Sequence, residues 1–566
     1  MSNSKHVTTV LIGGQAGDGV KEAGINLGRL LANIGQEVFV SIDYQSLVKG
    51  GHNFSRISFS TGKVFNDYQA IDLLVALNQE SISLHQKELK NGGVIFSESP
   101  VVERSAFTTG RALLPMTEFV EEVGSPLITR TSIALGAICY YFDIDIKKLE
   151  NIFKKIFVKK AEPNIKLAYR GYQYLKDKNF QRKKMKQGKK IKKKLIDGNE
   201  AFALGLVKAG LNIYYAYPMT PATSILHFLA KKKNEFDLKV VQPENEIAVI
   251  NMAIGSAYAG QKTAIGTSGG GFGLMQEAMS LAGMSEMPLV VAISQRSGPS
   301  TGVPTYTTQS DLQSVRFAGH GEFPRILLAP SDPEESYLLG AEALNLAWKY
   351  QTPVIVLLDK HLSESLATSY LDSSKIPTLR SDLKVASSDG DYQRYKITAN
   401  GISPLVFPGL KNASIKATSY EHDEDGITTE ESKIIKQMQE KRFKKLETLL
   451  KEQKNKETIK IYGDKKSKNI IISWGSTKGA VLEAMKYLKK PVKFILPLWL
   501  EPFDTKKIEK HLKSAKKIID IEANFTAQLA SLIREKTGIE IKDKILKYDG
   551  RPFEPIELAK KINRLL

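Results

Sequence analysis

A hydroxyl, a carboxylate and a guanidinium stand where apolar segments give way to turns. Thr220 lies in Tyr217-Pro218-Met219-Thr220-Pro221, just past an apolar run at Asn212 to Tyr215. The two prolines fix the backbone there and place the hydroxyl in the crevice beyond the strand's carboxyl end, where α/β sheets bind ligands. Glu246 closes Gln242-Pro243-Glu244-Asn245-Glu246 and opens an alanine-rich helix. Arg296 follows a buried strand in Gln295-Arg296-Ser297-Gly298-Pro299-Ser300-Thr301-Gly302, and between them Gly266-Thr267-Ser268-Gly269-Gly270-Gly271-Phe272-Gly273 forms a strand-to-helix turn. A carboxyl can take or hold a proton, and a guanidinium presents a two-pronged donor fork to a carboxylate. Each residue has a plainer alternative: a turn threonine, a glutamate stabilised by the helix dipole, an arginine paired with a structural acid.

A second constellation sits near the N-terminus. Ile12-Gly13-Gly14-Gln15-Ala16-Gly17-Asp18-Gly19-Val20 joins the first strand to the first helix. Glycines permit close approach, and the helix start offers free amides to an anion. Tight turn and phosphate cradle are equally compatible with this loop. Its spacing is not the dinucleotide GxGxxG, and Asp43 is the nearest acid to the position that fingerprint requires. Gly17-Asp18-Gly19 imitates the start of a thiamine-diphosphate metal motif, but no paired asparagines follow, which excludes a complete cofactor site in this part of the chain.

The elements that must position these residues alternate throughout. Strands are expected at Val7 to Ile12, Glu37 to Ile42, Arg56 to Ser60, Leu73 to Leu77 and Gly93 to Phe96, with a helix from Val20 to Asn33. A second series runs through Asn212 to Tyr215, Thr263 to Thr267, Leu289 to Ser294, Arg325 to Leu328 and Pro353 to Leu358, and a third contains Ile470 to Ser473 and Lys517 to Ile521. The expected fold class is therefore α/β, in three units. The domains read as 1–178, a basic linker at 179–197, 198–370, an irregular connector with a charged helix at 371–465, and 466–566. Within the linker, Arg182 to Lys194 is almost entirely basic and reads as an exposed spacer. The helix from about Glu430 to Lys454 has sparse apolar positions and reads as a bridge between domains.

Composition narrows the function classes. At 566 residues the chain is too long for a single core. Apolar runs such as Pro288 to Ile293 are too short to cross a bilayer, and the polar N-terminus has no signal core, so no membrane association and a cytoplasmic location are expected. The formal charge of +20 invites nucleic acid, but the lysine runs lack interleaved aromatics, and no nucleic-acid partner is expected. Cys139 is the only cysteine, whereas an iron-sulfur cluster takes four cysteine ligands. Any single-electron chemistry therefore needs a cluster on another chain.

Taken together, the central segments resemble the alpha subunit, or pyrimidine-binding domain, of 2-oxoacid:ferredoxin oxidoreductases. Gly13 to Val20 with Lys49-Gly50-Gly51-His52 resembles their gamma domain, and the similarity continues through Gly198-Asn199-Glu200-Ala201, His320-Gly321-Glu322, Gly401-Ile402-Ser403-Pro404 and Ser473-Trp474-Gly475-Ser476. The gamma-then-alpha order is similar to the fused subunit of two-chain enzymes. The resemblance implies a gamma domain, a thiamine-diphosphate-fold pyrimidine domain and a transketolase C-terminal-like domain. It implies that Glu246 serves the aminopyrimidine of thiamine diphosphate, with Glu244 as fallback, and that Arg296 and Thr220 bind the 2-oxoacid. Tyr217 and Pro218 would line the cofactor site, while Gly14, Gly17, Asp18, Gly19 and Lys49 would hold coenzyme A. It implies a beta subunit carrying the diphosphate-magnesium site and a [4Fe-4S] cluster, an (alpha-beta)2 assembly, ferredoxin as acceptor, and coenzyme A-dependent oxidative decarboxylation with 2-oxoglutarate favoured over pyruvate or branched acids. A non-catalytic thiamine-fold scaffold is the alternative. One departure is Ala527 in Glu522-Ala523-Asn524-Phe525-Thr526-Ala527-Gln528, where the family commonly has glycine.

Overall fold

The computed structural model describes residues 7–45, 51–98, 110–157, 161–186, 188, 193–376, 392–409 and 415–566. Lys49 lies outside them. The described chain forms three sheets and divides into two compact units: one of residues 1–196 with 364–370 and 554–556, the other of the remainder.

The first unit is built on an eight-stranded mixed sheet, in the order Arg111–Leu114, Leu89–Glu98, Ile71–Ala76, Thr8–Gln15, His52–Ser60, Glu37–Asp43, Leu366–Ser369 and Lys194–Asp197. Its central strands are buried on both faces, which is why Val10-Leu11-Ile12 and Leu73-Leu74-Val75 read as continuous apolar runs. Two features depart from the sequence reading. The strand Leu366–Ser369 pairs antiparallel with Glu37–Asp43, and the Thr368 hydroxyl accepts from the Val38 amide at 3.0 Å. Membership set by pairing so far apart in sequence leaves no local pattern. The basic run, in turn, is not a free spacer over its described part. Lys183 donates to Asp72 at 2.8 Å, Arg182 lies 4.5 Å from the Tyr140 ring centroid, and Lys193 pairs with Glu37. Its charges find acids and a ring on the domain they follow.

In the second unit, a seven-stranded sheet runs Trp499–Glu501, Ile326–Leu328, Pro353–Asp359, Leu289–Gln295, Thr263–Thr267, Ile213–Tyr215 and Lys239–Val241. It is parallel except for Trp499–Glu501. The five-stranded sheet beside it is parallel apart from Ile459–Gly463. Gln309 ties the two together: its amide nitrogen donates to the Trp474 carbonyl at 2.8 Å, and its side-chain oxygen accepts from Ala523 N and Thr477 Oγ1, each at 3.0 Å. Ala527, at the start of the helix Gln528–Thr537, adopts a left-handed conformation with φ 50°, the geometry that favours the glycine implied there.

A close approach explains Gly266. Any Cβ at this position would run into the Tyr214 hydroxyl, and both residues sit in the parallel sheet under the central site. Gly266→Ala is expected to cost about 1–3 kcal/mol through overpacking. The check is the urea midpoint by tryptophan fluorescence, since Trp348, Trp474 and Trp499 are all buried in this unit. An unchanged midpoint would show that the tyrosine moves aside freely.

The helix read as a bridge, Ser432–Gln453, belongs wholly to the second unit. Its apolar positions are sparse because its buried face carries Lys441, Arg442 and Lys445. Lys441 reaches Glu286 at 2.6 Å, Lys445 contacts the other oxygen of the same carboxylate, and Arg442 pairs with Glu421. One charged face of this helix is thus internal, while its other face stays exposed.

Candidate functional site

The candidate residues follow the carboxyl ends of parallel strands in the middle sheet, where α/β folds bind ligands. The Arg296 Nη1 donates to the Thr220 carbonyl at 2.9 Å, joining the turn after Ile213–Tyr215 to the turn after Leu289–Gln295. That turn is held from below by Asn199, which is fully buried. The Asn199 amide donates to the Pro221 carbonyl at 2.9 Å and to Ser224 Oγ at 2.8 Å, and its oxygen faces Ser294 Oγ at 3.4 Å. Asn199 belongs to the Gly198-Asn199-Glu200-Ala201 segment, but its positioning role had no signal in spacing. Tyr217 and Pro218 are exposed at the rim of the crevice.

Glu246 is the first residue of the helix Glu246–Tyr258, whose N-cap Asn245 accepts from the Ala248 amide at 2.9 Å. The capping work is done by asparagine, so the glutamate is not needed to cap its own helix. Glu246 is only 4% exposed, while Glu244 is exposed. Its Oε1 is buried and makes no hydrogen bond. The carboxylate presses on the next glycine turn: a Cβ on Gly271 would fall 2.7 Å from Glu246 Oε1 and collide with the Thr267 hydroxyl. A dry, unpartnered carboxylate oxygen is costly to keep unless something supplies a donor. A ligand with an N–H in this crevice would do so, and the amino-substituted heterocycle of thiamine diphosphate fits that requirement.

Among the described residues no carboxylate pairs with Arg296. Burial pulls its guanidinium below the ordinary arginine range, with no acid to offset the loss of water. Half-buried, unpaired and anchored by one nitrogen, it has donors to spare for an incoming carboxylate. The structural-acid alternative for Arg296 finds no partner here.

In the first unit the glycine loop is braced internally. The Gln15 amide donates to Asp18 Oδ2 at 2.8 Å, the Ala16 amide to the Gly51 carbonyl at 3.3 Å, and the Asp18 amide to the Gln15 carbonyl at 3.1 Å. Asp18 also pairs with Arg130 at 2.7 Å, and Arg130 reaches Glu98 at 3.3 Å. Asp18 therefore holds the loop's shape, leaving any anion to the open side at Gly17 and the helix start after Gly19. Gly14 packs against the Asp18 carboxylate itself. Arg130, buried beneath the loop, was not visible to sequence reasoning because it comes from a helix far along the chain. His52, beyond the glycines at Gly50 and Gly51, is buried and meets His85 through Nε2 atoms 2.8 Å apart.

Known proteins resemble this chain over nearly its whole length. Residues 9–174 match the family described as pyruvate ferredoxin/flavodoxin oxidoreductase, and residues 204–441 match pyruvate flavodoxin/ferredoxin oxidoreductase, thiamine diP-bdg. The chain is 33% identical to a 2-oxoacid:ferredoxin oxidoreductase subunit alpha from Sulfolobus sp, covering 98% of this chain and 96% of that protein. It is 30% identical to the 2-oxoglutarate synthase subunit KorA of Methanothermobacter marburgensis, over 65% of this chain and 97% of the relative. Among solved structures, 2-oxoglutarate:ferredoxin oxidoreductase from Magnetococcus marinus, with 2-oxoglutarate, coenzyme A and succinyl-CoA bound, superposes with a TM-score of 0.91 at 30% identity, covering 99% of this chain and all of that one.

Proposed function

Because the chain belongs to the 2-oxoacid:ferredoxin oxidoreductases as an alpha subunit, we propose that it catalyses, with a separate beta subunit, the coenzyme A-dependent oxidative decarboxylation of 2-oxoglutarate. The observation that carries this reading is the buried Glu246 carboxylate with an unpartnered Oε1, together with an Arg296 that pairs with no carboxylate among the described residues. Thiamine diphosphate, when bound, supplies the carbon nucleophile that a 2-oxoacid needs in order to lose carbon dioxide. Glu246 takes the hydrogen bond of its aminopyrimidine at Oε1 and can move a proton there. Arg296 receives the oxoacid's carboxylate, with Thr220 beside it. Three chemistries gathered at strand ends of one sheet speak against a scaffold that has no use for them. The 2-oxoglutarate preference rests on the relatives named for that acid.

Electrons leave through iron and sulfur that this chain does not supply. Cys139 is fully buried, and burial pushes its thiol well above the usual range, so it remains protonated. The beta subunit would bring the cluster, the magnesium and the diphosphate site, and would pass electrons to ferredoxin. A surface suited to a partner exists on the paired helices Glu246–Tyr258 and Gly269–Met284. Ile247, Met252 and Leu274 are exposed there, and Gly255 and Gly273 leave room for close approach. Coenzyme A is assigned to the first unit, at the open side of the glycine loop.

Co-expression with the beta chain followed by viologen reduction tests the proposal. The complex should reduce dye only with coenzyme A, fastest with 2-oxoglutarate over pyruvate and 2-oxoisovalerate, while the alpha chain alone stays inactive. Turnover by the lone chain, or a cofactor-loaded complex inert with all three acids, would overturn it.

A further inference from the structure

Beside the Glu246 crevice lies a second carboxyl that the reading above leaves without a task. Asp311 begins the short helix Leu312–Arg316, and its backbone amide donates to Gln295 Oε1 at 3.0 Å, one residue before Arg296. It caps nothing with its side chain. Instead the carboxyl lies flat on the first turn of Gly269–Met284, where a Cβ on Gly269 would meet Asp311 Oδ2 at 2.7 Å and Oδ1 at 2.9 Å. Oδ2 is buried and has no hydrogen-bond partner. Glu246 Oε1 lies at the same turn, 2.7 Å from the Cβ position of Gly271. Helical residues two apart project about 200° from each other, so the two carboxyls flank the start of the helix on opposite sides. Between them Gly270 faces open space, its nearest neighbour being the Ser300 carbonyl at 3.8 Å. Ser268 at the N-cap is fully buried, and its hydroxyl is also unpartnered. Asp311 Oδ2 and Ser268 Oγ, two buried and unsatisfied oxygens from two segments, thus lie at the start of this helix, where Gly270 leaves an open side.

We propose that Asp311 is a second proton-handling group of this site, holding at Oδ2 the proton that the carbonyl oxygen of the bound 2-oxoacid acquires. This inference rests on the oxoacid reading. When the carbonyl carbon accepts its nucleophile, the π pair of the C–O double bond moves to oxygen and takes the proton from Asp311, which becomes a carboxylate. The proton returns when that double bond reforms. A carboxyl can do this only if it keeps its proton near neutrality. Burial pushes Asp311 up to about 6, and filling the opening would dry it further. Burial alone acts on the Asp311 carboxyl, with no charged group beside it to offset the loss of water. The packed elements present uncharged Ser268, Gln295 and, through Ser310, Gln528.

The test uses Asp311→Asn in the co-expressed complex. The expected result is a kcat lowered about 10²-fold with KM for the oxoacid unchanged. In the wild type kcat should decline as rising pH removes the proton, and in the variant this decline should vanish. Infrared spectra of the thiamine-loaded complex, recorded without oxoacid, should show a protonated-carboxyl band that titrates from about pH 6 upward and is missing in D311N. Wild-type kcat in D311N, a lowered kcat with the pH profile unmoved, or no band difference would each overturn the proposal. A wild-type complex inert towards every oxoacid would instead refute the functional reading, while the band still decides where the proton resides.

Discussion

Glu246→Gln should lower kcat of the assembled enzyme by about 10²–10⁴-fold, the range supplied by a positioned acid–base group. Glutamine nearly matches glutamate in shape, so the packing against Gly271 and Thr267 survives, and Asn245 still caps the helix. What disappears is an oxygen that can accept a proton. Thiamine diphosphate should still bind, more weakly, because the amide oxygen can accept a hydrogen bond but cannot take charge. Glu244→Gln is the internal control: that side chain is exposed, and its replacement should leave kcat unaltered. Steady-state dye reduction by the two variants, with cofactor binding followed by fluorescence quenching, gives the comparison. If E246Q retained wild-type kcat, Oε1 would be an ordinary buried oxygen and the site would lose its proton carrier.

The largest loss of stability should come from Glu286→Gln, about 3–5 kcal/mol. Glu286 is 1% exposed and is the only carboxylate facing Lys441, Lys445 and Arg394 among the described residues, each of them at most 3% exposed. Lys441 reaches it at 2.6 Å, Lys445 contacts its other oxygen, and Arg394 donates to its backbone carbonyl at 2.9 Å. Burial alone would raise this carboxyl, but the surrounding cations hold it well below the usual range. Glutamine leaves those cations in the interior without an anion. Lys445 behaves in the opposite sense, since burial first of all pulls it down to about 7. A lysine lowered in the folded state binds its proton more weakly there than when unfolded, so its contribution favours folding as pH rises from about 7 to its unfolded value. Lys445→Met should therefore be near neutral or stabilising, because an apolar side chain of similar length replaces a charge that is expensive to bury. Urea unfolding at pH 7 followed by the three buried tryptophans measures both variants. Equal midpoints for E286Q and the wild type would mean that water reaches the cluster and the charges are not truly interior.

Much of the scaffold was legible in order because its signals are local. Thr263–Thr267 and Pro353–Asp359 are apolar runs bounded by turns, and a strand buried on both faces must be written that way. The helix Val20–Asn33 follows from its period and from the glycines ahead of it. The segments around Thr220, Glu246 and Arg296 stood out because strand ends in parallel sheets rarely gather prolines, glycines and charges without a use for them.

What the sequence by itself determined was therefore the class of fold, the likeness to 2-oxoacid:ferredoxin oxidoreductases, and the short list of groups able to do chemistry. Only the tertiary structure decided which of those groups are dry, paired or free, because burial and pairing depend on segments far apart in the chain. Glu246 and Glu244 are two residues apart and look alike on paper, yet one is enclosed by Gly271 and Thr267 and the other faces water. Lys441 and Lys445 have the composition of a solvated helix and lie in the interior, since Glu286 arrives from another part of the chain. Asp311 carried no signal at all, because its meaning comes from lying against Gly269 with an oxygen left unsatisfied.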